Sequence, residues 1–109
     1  MTSTPNKAKG SAKRAAALRF EILNAFVDWT MADLSRAEMA VWLVLYRDTK
    51  NNAAKTGMSD LARRAGCDRR TVVRAVASLK KRGILKTLHK GGLNRGPSSY
   101  RVRPLVKDA

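Results

Sequence analysis

The 109-residue sequence has one cysteine, Cys67, and one histidine, His89. A single cysteine excludes an internal disulfide, and two such residues do not supply the three or four ligands a zinc site needs, so no metal or other cofactor is expected. A reducing, cytoplasmic setting is the default for such a chain. Long apolar runs are also missing. The longest, residues 40–46, falls far short of the roughly 20 residues that cross a bilayer. The first residues carry charge but no apolar stretch of the kind found in secretory signals, so no membrane partner is expected. Acids are scarce: 8 Asp+Glu face 23 Lys+Arg, for a net charge of +15. No nucleophile–base pair, phosphate loop or paired carboxylate stands in the sequence, so no enzyme is expected. The length suits one small domain with tails and leaves no room for a separate catalytic or sensor domain.

What the chain has is basic charge, unevenly placed. Residues 1–19 carry five bases and no acid, residues 20–59 four bases and five acids, and residues 60–109 fourteen bases and three acids. A near-neutral apolar half followed by a strongly basic half suggests a scaffold joined to a face for a polyanion. Solvated surface charge is the weaker reading, because arginine, the better reader of phosphates and base edges, dominates the basic half.

Residues 1–13 contain no large apolar side chain beyond Met1 and read as a disordered basic arm. From residue 14 the pattern becomes helical, with Leu18, Ile22, Ala25 or Phe26 and Trp29 forming a stripe. A strand at 19–23 followed by a turn of helix competes with that reading. Phe20, Leu23 and Val27 lie off the stripe, so a helix here is apolar on more than one face. It has more apolar surface than a small core can hide, which points to a homodimer through residues 14–46. Trp29, Trp42 and Tyr46 are expected in the core or at that dimer contact.

Ser35 and Glu38 make a capping box. It opens a helix to about Thr49 with Val41, Trp42, Val44 and Leu45 as core candidates. Residues 51–57 read as a polar loop. Ser59 is placed to cap a short helix, 60–65, ended by Gly66 in a left-handed turn. Cys67 reads as a small core residue. Asp68 caps a helix from Arg69 to about Arg82, with Val72, Ala75, Val76 and Leu79 inward and Gly83 closing it. Strands at 84–88 and 98–102 flank a glycine-rich turn, and Pro104 stops the second.

Residues 58–85, Met58-Ser59-Asp60-Leu61-Ala62-Arg63-Arg64-Ala65-Gly66-Cys67-Asp68-Arg69-Arg70-Thr71-Val72 onward to Leu79 and Gly83-Ile84-Leu85, resemble the winged helix-turn-helix of bacterial regulators such as the GntR and MarR groups. They are also similar to modules of plasmid and phage replication and control proteins. The resemblance covers about residues 34–103 and implies a mainly α fold with a small β-hairpin wing. The expected organisation is an arm at 1–13, a domain at 14–103 and a tail at 104–109. Within the domain lie an N-terminal helical and dimerisation part (14–49), the helix-turn-helix (59–82) and the wing (84–102).

A recognition helix buries one face and offers the other to the major groove, N-terminal end first. Arg69, Arg70, Val73 and Arg74 are therefore the base-edge candidates, with Ser78 and Lys81 farther along. An arginine fork fits guanine, and Val73 fits a thymine methyl; each arginine can equally well hold phosphate. Related regulators often carry a base where Val73 stands, so their reading code does not transfer. Thr71 either contacts phosphate or covers the helix start. Arg63 or Arg64, on the preceding helix, is expected on phosphate, and Lys90 and Arg95 on the wing reach the minor groove or its phosphates. Single-strand RNA readers expose aromatics on a sheet, and only Tyr100 of the six aromatic residues falls in the hairpin, which disfavours an RNA-binding role.

The reading is thus a sequence-specific binder of double-stranded DNA, acting as a homodimer in the cytoplasm at the nucleoid. A transcriptional repressor of a plasmid, phage or other mobile element is the first role, and a replication-initiation or partition protein the alternative.

Overall fold

The computed structural model describes residues 3–92 and 96–104, with side chains from residue 13 onward. Helix α1 spans Ser3–Ala25. It takes in most of the segment expected as an unstructured arm, and no strand forms at 19–23. The residues explain this: Ala8, Ala12, Ala15, Ala16 and Ala17 alternate with lysines and an arginine, all strong helix formers. The chain then widens into a π turn, Phe26–Thr30, and tightens into a 3₁₀ turn, Met31–Asp33. The change of period resets the apolar stripe. Phe26 and Thr30 are buried, but Trp29 is 74% exposed and Leu18 57%, so Trp29 is not a core residue of the single chain.

Helix α2 (Arg36–Asp48) begins with the expected capping box. The Ser35 hydroxyl accepts from the Glu38 amide at 3.1 Å, and a Glu38 carboxylate oxygen accepts from the Ser35 amide at 2.7 Å. It buries Val41, Trp42, Leu45 and Tyr46, while Val44 is only half-buried. Trp42 is the centre of an aromatic column. Its ring lies 3.7 Å from that of Phe26 at 10°, and 5.1 Å from that of Tyr46 at 17°. The Arg19 guanidinium sits 5.3 Å over Tyr46 and donates to the Thr49 carbonyl at 2.9 Å. The column therefore ties the end of α1 to α2 by stacking and a cation–π contact. The Trp42 indole N–H donates to the Arg103 carbonyl at 2.8 Å, and the Thr30 hydroxyl to that of Pro104, which fastens the far end of the chain to the same column.

Asn51 and Asn52 take positive φ (54° and 64°) in a two-residue reversal closed by mutual bonds between Lys50 and Ala53, the backbone that a tight hairpin requires. Strand β1 (Ala54–Lys55) follows inside the segment expected as loop. Helix α3 (Met58–Ala65) starts earlier than expected; Gly57 occupies the cap position and Ser59 lies inside the first turn, so Ser59 is not the cap. Gly66 takes φ 71°, and the Cys67 amide reaches back to the Ala62 carbonyl at 3.0 Å, the left-handed closure that favours glycine. Helix α4 (Arg69–Lys81) then buries Val72, Ala75, Val76 and Leu79.

Strands β2 (Leu85–His89) and β3 (Ser99–Val102) form the hairpin, and β1 adds to its outer edge in an antiparallel sheet ordered β1-β3-β2. Helices α2, α3 and α4 pack on one another, and Leu61, Ile84, Leu85, Ala54 and Tyr100 complete one core beneath them. Cys67 packs at its margin. The result is the expected mainly α fold with a small β wing. Among the described residues no helix is long and apolar enough to cross a membrane.

Candidate nucleic-acid interface

The first turn of α4 is capped by Asp68. Its carboxylate accepts from the Thr71 amide at 2.8 Å and from the Thr71 hydroxyl. Those bonds hold the Asp68 carboxyl below its ordinary range. Thr71 is thereby placed as the cover of the helix start, half-buried and bonded to its own cap.

With Val72, Ala75 and Val76 inward, helical spacing turns Arg69, Arg70, Val73 and Arg74 outward. All four are exposed and line one open depression at the N-terminal half of α4. The arginines make no salt bridge among the described residues. Three forked cations without a salt bridge, set around one apolar side chain, can bond base edges or phosphates and touch a methyl group.

Two of the expected contact residues have bonding partners inside the protein. The Arg64 guanidinium donates through both terminal nitrogens to Asp48 on α2, one bond at 3.0 Å, and pairs with Asp60 at 3.0 Å. Its side chain is only 24% exposed. The two-pronged bond to Asp48 raises the Arg64 pKa and holds the Asp48 carboxyl below its usual range, with Thr56 donating a further bond at 3.0 Å. Arg64 is thus a brace between α2 and α3. Ser78 likewise turns toward α2, where its hydroxyl donates to Glu38, while Arg82 donates to the same oxygen at 3.1 Å. Burial pushes the Glu38 carboxyl up, but the Ser35 amide, Ser78 and Arg82 outweigh it and bring the pKa down to about 2. The carboxylate that caps α2 therefore also grips the last turns of α4. Arg63 differs from both: it is 73% exposed, and among the described residues it pairs with its helix neighbour Asp60 alone.

Lys81 is exposed at the end of α4. Lys80, not among the contact candidates read from the sequence, lines a groove between α4 and the hairpin together with Val73, Ala77 and Lys90. Its position seven residues after Val73, two helical turns along the same side, is the signal that could have found it. Lys90 is exposed at the base of the wing. There the Gly91 amide donates to the Ser98 hydroxyl at 2.8 Å and Gly92 to the Gly96 carbonyl at 3.2 Å. A Cβ at Gly91 would fall 2.3 Å from the Gly96 carbonyl oxygen, so only glycine lets the two arms of the wing approach this closely. Arg95 lies outside the described residues.

Among the described residues no group of three or more His, Cys, Asp and Glu could hold a metal ion.

Residues 32–85 match the family model of a helix-turn-helix domain. No curated protein matches the chain. Among solved structures, the chain is similar to Bordetella bronchiseptica BpsR, described in work on the regulation of that protein's DNA binding by 6-hydroxynicotinic acid; the two share 24% identity with a TM-score of 0.48. The match covers 87% of this chain and 63% of that one.

Proposed function

With residues 32–85 matching the family model of a helix-turn-helix domain and β2–β3 adding a wing, we propose that this protein occupies specific sites on duplex DNA and regulates transcription there. The observation that carries the reading is the exposed cluster Arg69, Arg70, Val73 and Arg74 on the leading half of α4, where none of the three arginines makes a salt bridge among the described residues. A helix presented in this way reads the major groove with its N-terminal residues. Lys81 and Lys90 flank it as phosphate contacts, with Arg63 on α3. The protein acts by occupancy rather than catalysis, in the cytoplasm at the nucleoid. Repression of a plasmid, phage or other mobile element is the finer role; a replication or partition protein would use the same contact.

The acting unit is a homodimer. Leu18, Phe20, Val27 and Trp29 are all more than half exposed, and residues 13–20 are exposed throughout. An isolated helix of this kind is marginal in water, and a second copy would cover it. Selection of bound sequences from a random duplex pool tests the whole reading. The expected result is an inverted repeat with half-sites about one helical turn, or a multiple, apart. A pool that yields no preferred sequence, from a protein that sediments as a monomer with and without DNA, would overturn it.

A further inference from the structure

The sheet has two faces. Ala54, Tyr100 and Leu85 point into the core, and alternation turns Lys55, Arg101 and Lys86 to the other side, where all three are exposed. The register sets Lys86 directly opposite Arg101, and Lys55 opposite Ser99, two residues before Arg101 on the same face. Like charges directly opposite one another across a strand pair destabilise a sheet. No acid relieves this pair: Lys55, Lys86 and Arg101 make no salt bridge among the described residues, and the sequence has no Asp or Glu anywhere between Arg69 and Lys107. Three of the acids elsewhere in the fold, Glu38, Asp48 and Asp60, are bonded to Arg82, Arg64 and Arg63.

We propose that the outer face of the sheet, Lys55, Lys86 and Arg101, is a second DNA-phosphate-binding face, separate from the leading half of α4. This rests on the DNA-binding reading above and extends it. The face is continuous with the wing, because β2 runs from Lys86 directly to the residue before Lys90. Phosphates held by the wing can therefore continue onto the sheet. They come either from the flanks of the DNA whose site α4 occupies or from a second duplex. In both cases binding neutralises the facing cations and releases counterions.

The test uses the full chain carrying both Lys86→Gln and Arg101→Gln, with two probes: a short duplex limited to the selected site, and a long duplex with flanks on both sides. On the long duplex the slope of log affinity against log salt should fall by up to about 2 units, at about 0.9 for each phosphate no longer neutralised. On the short duplex it should not change. A second arm mixes two differently labelled duplexes and measures whether the protein brings them together. Loss of the flank effect alone assigns the face to the bound DNA, and loss of bridging assigns it to a second duplex. The variant should melt at or above the wild-type temperature, because a repulsive pair has been removed. Unchanged slopes with unchanged bridging would overturn the proposal, as would equal losses on short and long probes. Arg70→Ala serves as the separating control. It should weaken both probes together, and if it weakens neither, the α4 reading fails while the sheet result still stands or falls by its own slopes.

Discussion

Helices α3 and α4 each carry an adjacent arginine pair, Arg63–Arg64 and Arg69–Arg70, and the two pairs have opposite fates. On α3 both arginines meet acids: Arg63 pairs with Asp60, and Arg64 with Asp60 and Asp48. On α4 neither meets one among the described residues, and both are exposed. The difference arises from where the acids fall. Asp60 is three and four residues before the α3 pair, within helical reach, and Asp48 is brought alongside by the packing of α2 on α3. The α4 pair follows Asp68, whose carboxylate is committed to the Thr71 amide and hydroxyl. Basic charge in a sequence thus divides into charge that builds the fold and charge left over for a partner.

The largest expected effect comes from breaking the structural side. Arg64→Ala leaves a mostly buried Asp48 without its two-pronged partner and should cost about 3 kcal/mol of folding stability, read as a drop in Tm. Arg63→Ala, at an exposed site, should leave Tm unchanged. Equal effects from the two would erase the distinction between them.

Next in size is Glu38→Gln, which removes the charge that holds Ser78 and Arg82 and should cost about 2 kcal/mol at neutral pH. The Glu38 pKa falls from an ordinary value of 4.5 to about 2 in the folded protein. Its contribution is therefore full above pH 4.5 and is lost as the pH falls through that interval toward 2. Urea titrations across this range should show wild-type stability declining on acidification and the variant declining less; parallel curves would mean that the carboxylate does not link α2 to α4.

The smallest effect belongs to the wing. Lys90→Ala should leave Tm and site preference unchanged and reduce the salt slope of DNA binding by about 1 unit. Gly91→Ala should produce a similar loss through a wing base that can no longer close, despite an intact Lys90. An unchanged slope in both would place the wing away from DNA.

These contrasts follow the boundary between what the sequence discloses and what it does not. Local signals are legible: the Ser35–Glu38 box, the Asp68 cap, the left-handed Gly66 and the inward row Val72, Ala75, Val76 and Leu79 all depend on residues within a few positions of one another. The exposed cluster on α4 is legible for the same reason. The fate of Arg64 is not, because Asp48 lies 16 positions away, and that of Ser78 is not, because Glu38 lies 40 away. Strand β1 carries no local signal because its two residues pair only with distant Ser99 and Tyr100. The exposure of Trp29 follows from a π turn, which no fixed helical period anticipates.

The central claim, that the leading half of α4 reads sequence, is tested most directly by measuring the affinity of Arg70→Ala and Arg74→Ala on the selected site and on scrambled duplex under identical salt. Bidentate base contacts predict a loss of about 1–3 kcal/mol for each variant on the selected site and a clearly smaller loss on scrambled DNA, with Tm unaltered. Equal losses on the two duplexes would contradict the account and reduce both arginines to phosphate contacts.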